Sequence, residues 1–271
     1  MLTTLVMVGL ARADDLARQG KTVFDQHRQA IVTIQVVTKT RLSIGGRGDG
    51  GREERSEAIG TVIDPGGLTV VSLSAIDPSS LFSRLTALMS EEGNTLKVES
   101  ELADVKIMLE DGTELTAEVV LRDRDLDLGF IRPKTPPAQP MPYVDLEKSG
   151  SADLLDPVVT LTRLGQAAGR AHAASFERIA AVVRRPRLFY VPDDTITTTT
   201  LGSPAFLMDG RVLGICVMRA TGGGGASFAP LRIQGDDAAG IILPAADVLK
   251  VARQVSGPPS SGSLSNESPV Q

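Results

Sequence analysis

Two histidines, His27 and His172, and one cysteine, Cys216, are all that this 271-residue chain offers for imidazole or thiol chemistry. A histidine-based zinc site needs more ligands than that, and a lone cysteine forms neither an internal disulfide nor a multi-cysteine metal centre. Cys216 lies in the apolar run Val212-Leu213-Gly214-Ile215-Cys216-Val217-Met218, the setting of a buried small hydrophobe rather than of a reactive thiolate. No cofactor and no metal are expected. What remains is serine and carboxylate chemistry. A serine hydroxyl is a poor nucleophile at neutral pH until a base takes its proton, and histidine suits that task because its pKa lies near 7. Any such chemistry here must therefore recruit His27 or His172, or do without an imidazole.

The charge balance narrows the partners. A formal net charge of −5 with no long basic block argues against nucleic acid, since nothing neutralises a run of phosphates. The nearest approach to a basic patch is Arg184-Arg185-Pro186-Arg187, which reads as a solvated loop edge. Residues 1–13 are apolar and end Ala11-Arg12-Ala13 before Asp14-Asp15, like the apolar region and small-residue cleavage site of a secretory signal peptide. They lack a basic leader and are short, so the translation start is expected upstream of Met1; the alternative is a cytoplasmic chain with an apolar first turn. No other segment approaches the roughly 20 apolar residues of a membrane span, so an exported protein that does not span the membrane is expected.

The elements that would position a site are short and mostly extended. Residues 15–29 read as an amphipathic helix with Leu16, Val23 and Phe24 on one face, and residues 30–37 as a β-branched strand. Residues 44–55, rich in Gly, Arg and Glu without an apolar period, read as a mobile loop. From Ala58 onward short strands alternate with turn signals: Asp64-Pro65-Gly66-Gly67, Glu110-Asp111-Gly112, Asp209-Gly210 and the Gly222 to Gly225 run. That spacing indicates an all-β barrel or sandwich. Leu81, Leu85, Leu88 and Met89 at helical spacing mark a helical insertion or long loop within residues 78–104, and residues 135–142 form a proline-rich connector. Residues 195–200, Thr-Ile-Thr-Thr-Thr-Thr, read as a strand or an extended loop. A Pro244-started helix closes the fold, and residues 256–271, rich in Ser, Gly and Pro, read as a disordered tail.

Five landmarks in order give these strands an expected identity. Gly60-Thr61-Val62-Ile63-Asp64-Pro65-Gly66-Gly67-Leu68-Thr69-Val70-Val71-Ser72-Leu73-Ser74-Ala75 is strand, tight turn, strand and helical corner. Val105 to Gly112 is a strand running into an Asp-Gly turn. Residues 118–131 carry Asp123, Asp127 and Leu128, and Arg211-Val212-Leu213-Gly214-Ile215 and Gly240-Ile241-Ile242-Leu243-Pro244 follow. Together they resemble the HtrA/Deg-type trypsin-like serine proteases over about residues 31–255. The resemblance implies an all-β, trypsin-like double β-barrel with an N-terminal and a C-terminal helix. Its implied divisions are a signal peptide at 1–13, helix and first barrel at 14–134, a linker at 135–148, the second barrel and helix at 149–255, and a tail at 256–271.

The resemblance also implies where the catalytic triad would fall. The histidine position is Ser74 and the orienting carboxylate is Asp127. Counting back from Gly210, Pro204 falls on the proline of the family's G-N-S-G-G-P, which puts Leu201 at the nucleophile; a rival register puts Ser203 there. Since the carboxylate of a triad orients an imidazole and stabilises its cation, Asp127 beside Ser74 has none to orient. The implied function is that of a non-catalytic pseudoprotease acting in peptide or protein binding, because substrates of this fold lie as an added strand on a sheet edge that needs no triad. The alternatives are an active serine endopeptidase using Ser203 with an unconventional base, and a purely structural subunit of an exported complex. The expected partner is a polypeptide, and the resemblance admits a homo-oligomer.

Overall fold

The computed structural model describes residues 3–44, 47–48, 52–77, 96–194, 196–197, 199–220, 234–235 and 238–255. Helix α1 (Thr3–His27) leads through a single 3-10 turn (Arg28–Ala30) into a first sheet. That sheet holds β1 (Ile31–Ile44), β2 (Arg47–Gly48), β3 (Arg52–Val62), β4 (Thr69–Ser72), the one-turn helix α2 (Leu73–Ile76), β5 (Leu96–Met108), β6 (Glu114–Asp123) and β7 (Leu128–Pro133). The order β1-β3-β4-β7-β6-β5 closes through β1–β5, giving a six-stranded antiparallel barrel with β2 appended. The second barrel takes β8 (Pro157–Arg163), β9 (His172–Val183), β10 (Phe189–Pro192), β11 (Pro204–Leu207), β12 (Val212–Ala220), β13 (Gln234–Gly235) and β14 (Ala238–Pro244). It closes in the order β10-β9-β8-β11-β12-β14 through β10–β14, with β13 on the edge of β14. Helix α3 (Ala245–Val255) follows Pro244 directly. The fold is the expected double β-barrel with a helix at each end. Among the described residues no helix is long and apolar enough to cross a membrane, and no cluster of His, Cys, Asp and Glu could hold a metal ion.

Two sequence expectations are corrected. Residues 44–55 are not simply a loop: Ile44 ends β1, and Arg52 to Arg55 pair with Val37 to Thr40. Residues 96–104 are strand as well, with Leu96 opposite Ile44 and Glu101 opposite Lys39. Both stretches ladder onto β1, and main-chain pairing on that strand lets a charged, aperiodic sequence be strand. A shorter miss concerns residues 199–202, which form turns rather than a strand, with Thr200 N–H on the Thr197 carbonyl at 3.0 Å and Ser203 N–H on the Thr200 carbonyl at 3.1 Å. The helical spacing at Leu81 to Met89, the Gly222 to Gly225 turn and the 256–271 tail lie outside the described residues.

Alternation distributes the core into three bodies. Along β7, Leu128 and Phe130 face the seam between the barrels, while Ile131 faces the first barrel's own cluster with Val32, Ile34, Val71 and Ile107. Along β8, Val159 and Leu161 face the same seam and Val158 faces a cluster with Ile179, Tyr190, Leu201 and Cys216. Val23 of α1 and Val248, Val251 and Ala252 of α3 pack onto the seam, so both terminal helices seal the junction on which any inter-barrel site depends. Cys216 is fully buried in the second barrel's own cluster as an apolar residue, and burial pushes its thiol well above the usual range.

A half-buried carboxyl on β9 departs from this apolar scheme. Glu177 carries a buried Oε2 without a hydrogen-bond partner among the described residues, although its Oε1 accepts from Ser175 Oγ at 2.9 Å. Burial, ahead of every other influence, pushes its pKa up; Ser175 and the facing Thr160 hydroxyl pull it back, and Asp194 and Asp193 push it further up. A carboxyl whose folded pKa is raised binds its proton more tightly in the native state. Its contribution is therefore present below the ordinary glutamate range and is lost as pH rises through the raised value. Glu177→Gln is expected to stabilise the protein above that window and to flatten this part of the stability–pH curve; urea midpoints from pH 4 to 8 check it.

Candidate functional site

The first barrel ends its β4 strand in a corner. Ser72 closes β4, Leu73 opens α2, and Ser74 sits one residue inside it, half-buried. Facing this corner is the turn before β7, where Asp127 adopts a left-handed φ of 57°. Aspartate tolerates that conformation better than most side chains. The backbone of the turn is itself tied to the corner, the Leu73 N–H donating to the Asp127 carbonyl at 2.8 Å.

The Asp127 side chain is 6% exposed and saturated with donors. Oδ1 accepts the Ser74 N–H at 2.7 Å and the Ser74 hydroxyl at 2.6 Å. Oδ2 accepts the Ser72 hydroxyl and, from the second barrel, the Met218 N–H on β12 at 2.8 Å. Four donors from both barrels thus converge on one carboxylate. Ser74 and Asp127, singled out from the sequence, are brought into direct contact; Ser72 and Met218 were not foreseen. Ser72 was visible as a polar residue in the apolar run Val70-Val71-Ser72-Leu73, whereas a backbone donor such as Met218 N–H leaves no sequence signal.

The second barrel presents residues 201–203 against the same region. Leu201 is buried in the cluster with Ile196, Ala205, Cys216 and Ile242, and Ala75, the residue after Ser74, packs against that cluster. Gly202 has φ +89°, and a Cβ there would run into the Ile59 carbonyl and come within 3.5 Å of Ser72 N. Its N–H donates to the Cys216 carbonyl at 2.8 Å and its carbonyl accepts the Thr61 hydroxyl at 2.8 Å. The segment is therefore clamped between β3 and β12, beside Ser72. Ser203 is fully buried, and its Oγ has no hydrogen-bond partner among the described residues.

Neither histidine joins this group. His27 ends α1 and stacks on Phe206, centroids 4.6 Å apart; burial first, and then Lys148, hold its pKa below the usual value. His172 opens β9, with Nε2 placed 3.2 Å from the Ile31 carbonyl and Nδ1 3.8 Å from Glu110 Oε1; burial is the main cause of its lowered pKa. It belongs to a second polar seam between the barrels. There the buried Arg163 donates through Nη1 to the Met108 carbonyl at 2.9 Å and through Nη2 to the Leu109 carbonyl at 3.1 Å, and Arg170 pairs with Glu57 at 2.6 Å.

Two closed six-stranded barrels with a corner serine, a buried aspartate and a glycine turn meeting across the seam are now joined by a family match. The trypsin-like peptidase domain matches residues 58–215, more than half of the chain. The protein belongs to the trypsin-like peptidase family. No curated protein matches it. The matched stretch contains Ser72, Ser74, Asp127, Leu201, Gly202 and Ser203, and its single histidine is His172. In trypsin-like catalysis a carboxylate bonds the imidazole that deprotonates serine. In this trypsin-like domain the Asp127 carboxylate bonds two serine hydroxyls and two backbone amides instead.

Proposed function

We propose that this chain is a non-catalytic, HtrA-like member of the trypsin-like peptidases, exported from the cytoplasm and acting in peptide or protein binding. The observation that carries the reading is the Ser74–Asp127 contact. Both the amide and the hydroxyl of Ser74 donate to Oδ1, so the carboxylate that would orient a base is consumed by a residue with no useful basicity at neutral pH. The burial of Leu201 and the clamped Gly202 support the register that puts Leu201 at the nucleophile, where a hydrocarbon side chain has nothing to attack with. The buried, unpartnered Ser203 hydroxyl weighs against the rival register. Binding of an extended polypeptide along a strand edge uses main-chain hydrogen bonds and survives the loss of all three groups.

A fluorophosphonate probe tests the chemistry, and a peptide array tests the binding. The expected result is no labelling of the native protein together with retention of a subset of extended peptides. Stoichiometric labelling that disappears in Ser203→Ala would overturn the non-catalytic reading. Absence of any retained peptide would leave a structural subunit as the remaining role.

A further inference from the structure

The exposed connection between β9 and β10 is Arg184-Arg185-Pro186-Arg187-Leu188, with all three arginines solvent-exposed. In a chain of net charge −5, three like charges within four residues run against the average and repel one another. Arg184 approaches one carboxylate, Asp153 Oδ1, at 3.6 Å, with the two side chains 69% and 84% exposed, so that pair is worth little. Arg185 and Arg187 form no ion pair among the described residues. A fourth guanidinium is brought to the same end of the barrel: Arg219 Cζ stands 4.8 Å from the centroid of the Phe189 ring, and Phe189 pairs with Val183 at the base of the hairpin. Ring and cation hold each other in place, so Arg219 is presented rather than free to wander.

An apolar element adjoins the arginines. Beside Asp153, Leu154 and Leu155 are 60% and 62% exposed, the two most exposed large hydrophobic side chains described. Leu155 has φ 67°, a conformation that a leucine rarely takes. It is fixed there by its own N–H on the Ile179 carbonyl at 2.8 Å and by Arg178 Nη1 on its carbonyl at 2.8 Å. Strain retained to display two leucines on a surface is the kind of feature that function maintains.

We infer that Arg184, Arg185, Arg187 and Arg219, with Leu154 and Leu155, form a docking surface for an acidic polypeptide segment that also carries apolar side chains. The guanidinium fork matches carboxylates bidentately, and the adjoining leucines take apolar side chains that a nucleic-acid backbone does not offer. The overall negative charge opposes a long polyanion while leaving a short acidic segment steered to the one basic end. The surface continues toward the Ser74–Asp127 corner, since Arg219 directly follows Met218, whose N–H meets Asp127. The inference thus rests on the binding reading and assigns the charge of the bound polypeptide.

Fluorescence anisotropy on the full chain decides it, using labelled dodecapeptides that combine leucine with glutamate or leucine with lysine, and a single-stranded oligonucleotide. The acidic peptide is expected to bind, to weaken with added salt, and to lose about tenfold or more in Arg185→Glu/Arg187→Glu. Leu155→Gly keeps the fold, because glycine relieves the left-handed strain, and is expected to weaken the same peptide several-fold while raising thermal stability. Equal binding of acidic and basic peptides, or unchanged affinity in the double variant, overturns this inference and leaves peptide binding itself standing. Oligonucleotide binding lost in the double variant, with no peptide bound, overturns both.

Discussion

Replacing Asp127 by alanine is expected to cost about 3–5 kcal/mol of folding stability, a loss visible as a drop of roughly 10 °C in Tm. The carboxylate is 6% exposed and accepts the Ser72 hydroxyl, both donors of Ser74 and the Met218 N–H. Removing it leaves four donors facing a cavity, and each buried unpaired polar group costs about 1–3 kcal/mol unless water reaches it. Alanine also accepts the left-handed φ of 57° less readily than aspartate does. Asp127→Asn separates these contributions. Asparagine keeps the backbone tolerance and one acceptor but turns an amide NH2 toward donors, so a smaller loss of about 2 kcal/mol is expected. Ser74→Ala removes a single hydroxyl and is expected to cost about 1 kcal/mol. Urea unfolding of the three variants would contradict this account if Asp127→Ala lost less than Ser74→Ala. That outcome would make the carboxylate an idle remnant rather than the tie between the barrels.

This tie gives the Asp127 carboxylate a structural role with no imidazole beside it. A carboxylate with no imidazole beside it has to be desolvated at the seam, and only a full set of donors offsets that cost. Ser74 supplies two of them from one residue, which an apolar substitute at the corner cannot. The seam is thus held at one place by an anion among donors and at another by the Arg163 guanidinium among carbonyls. Both ties cross between the barrels, alongside the Thr61–Gly202 and Arg170–Glu57 contacts, and both fix how the barrels are placed relative to one another.

The same residues show how far the sequence could be read. The turn Asp64-Pro65-Gly66-Gly67 announced itself and forms as expected, with Gly67 at φ +88° and the Leu68 N–H on Asp64 Oδ1 at 3.0 Å. Strand periods from Ala58 onward led to the double barrel because alternation and turn residues are local signals. The stretches 44–55 and 96–104 misled because their ladder is long-range: β1 pairs with both β3 and β5 over charged residues that carry no apolar period. At the site, Ser74 and Asp127 were legible through the family pattern. The donors Ser72 and Met218 were not, since their roles follow from which strand ends the closing of two barrels brings together. Arg163 was equally silent, being a lone arginine whose burial depends on the β5–β6 turn of the other barrel.

A comparable loss is expected from Gly202→Ala, which should destabilise the protein by at least about 3 kcal/mol and prevent the 201–203 segment from docking. Two costs combine there. A side chain at φ +89° is strained wherever it sits, by about 1–2 kcal/mol. In addition the new Cβ would fall within the contact distance of the Ile59 carbonyl, a backbone group fixed in the β1–β3 ladder by the pairing of Ile59 with Thr33. Gly112 provides the control. Its φ is +85°, yet nothing lies within 4 Å of where a Cβ would stand. Gly112→Ala therefore carries the conformational cost alone, and the difference between the two variants isolates the clash. If the segment is displaced, the Thr61 hydroxyl loses the Gly202 carbonyl and the Cys216 carbonyl loses the Gly202 N–H, so hydrogen exchange at the amides of residues 200–203 should accelerate in Gly202→Ala and stay slow in Gly112→Ala. Equal destabilisation of the two variants would mean that residues 201–203 are not held against β3. Leu201 would then be free to leave its cluster, and the register that puts Leu201 at the nucleophile would lose its structural support.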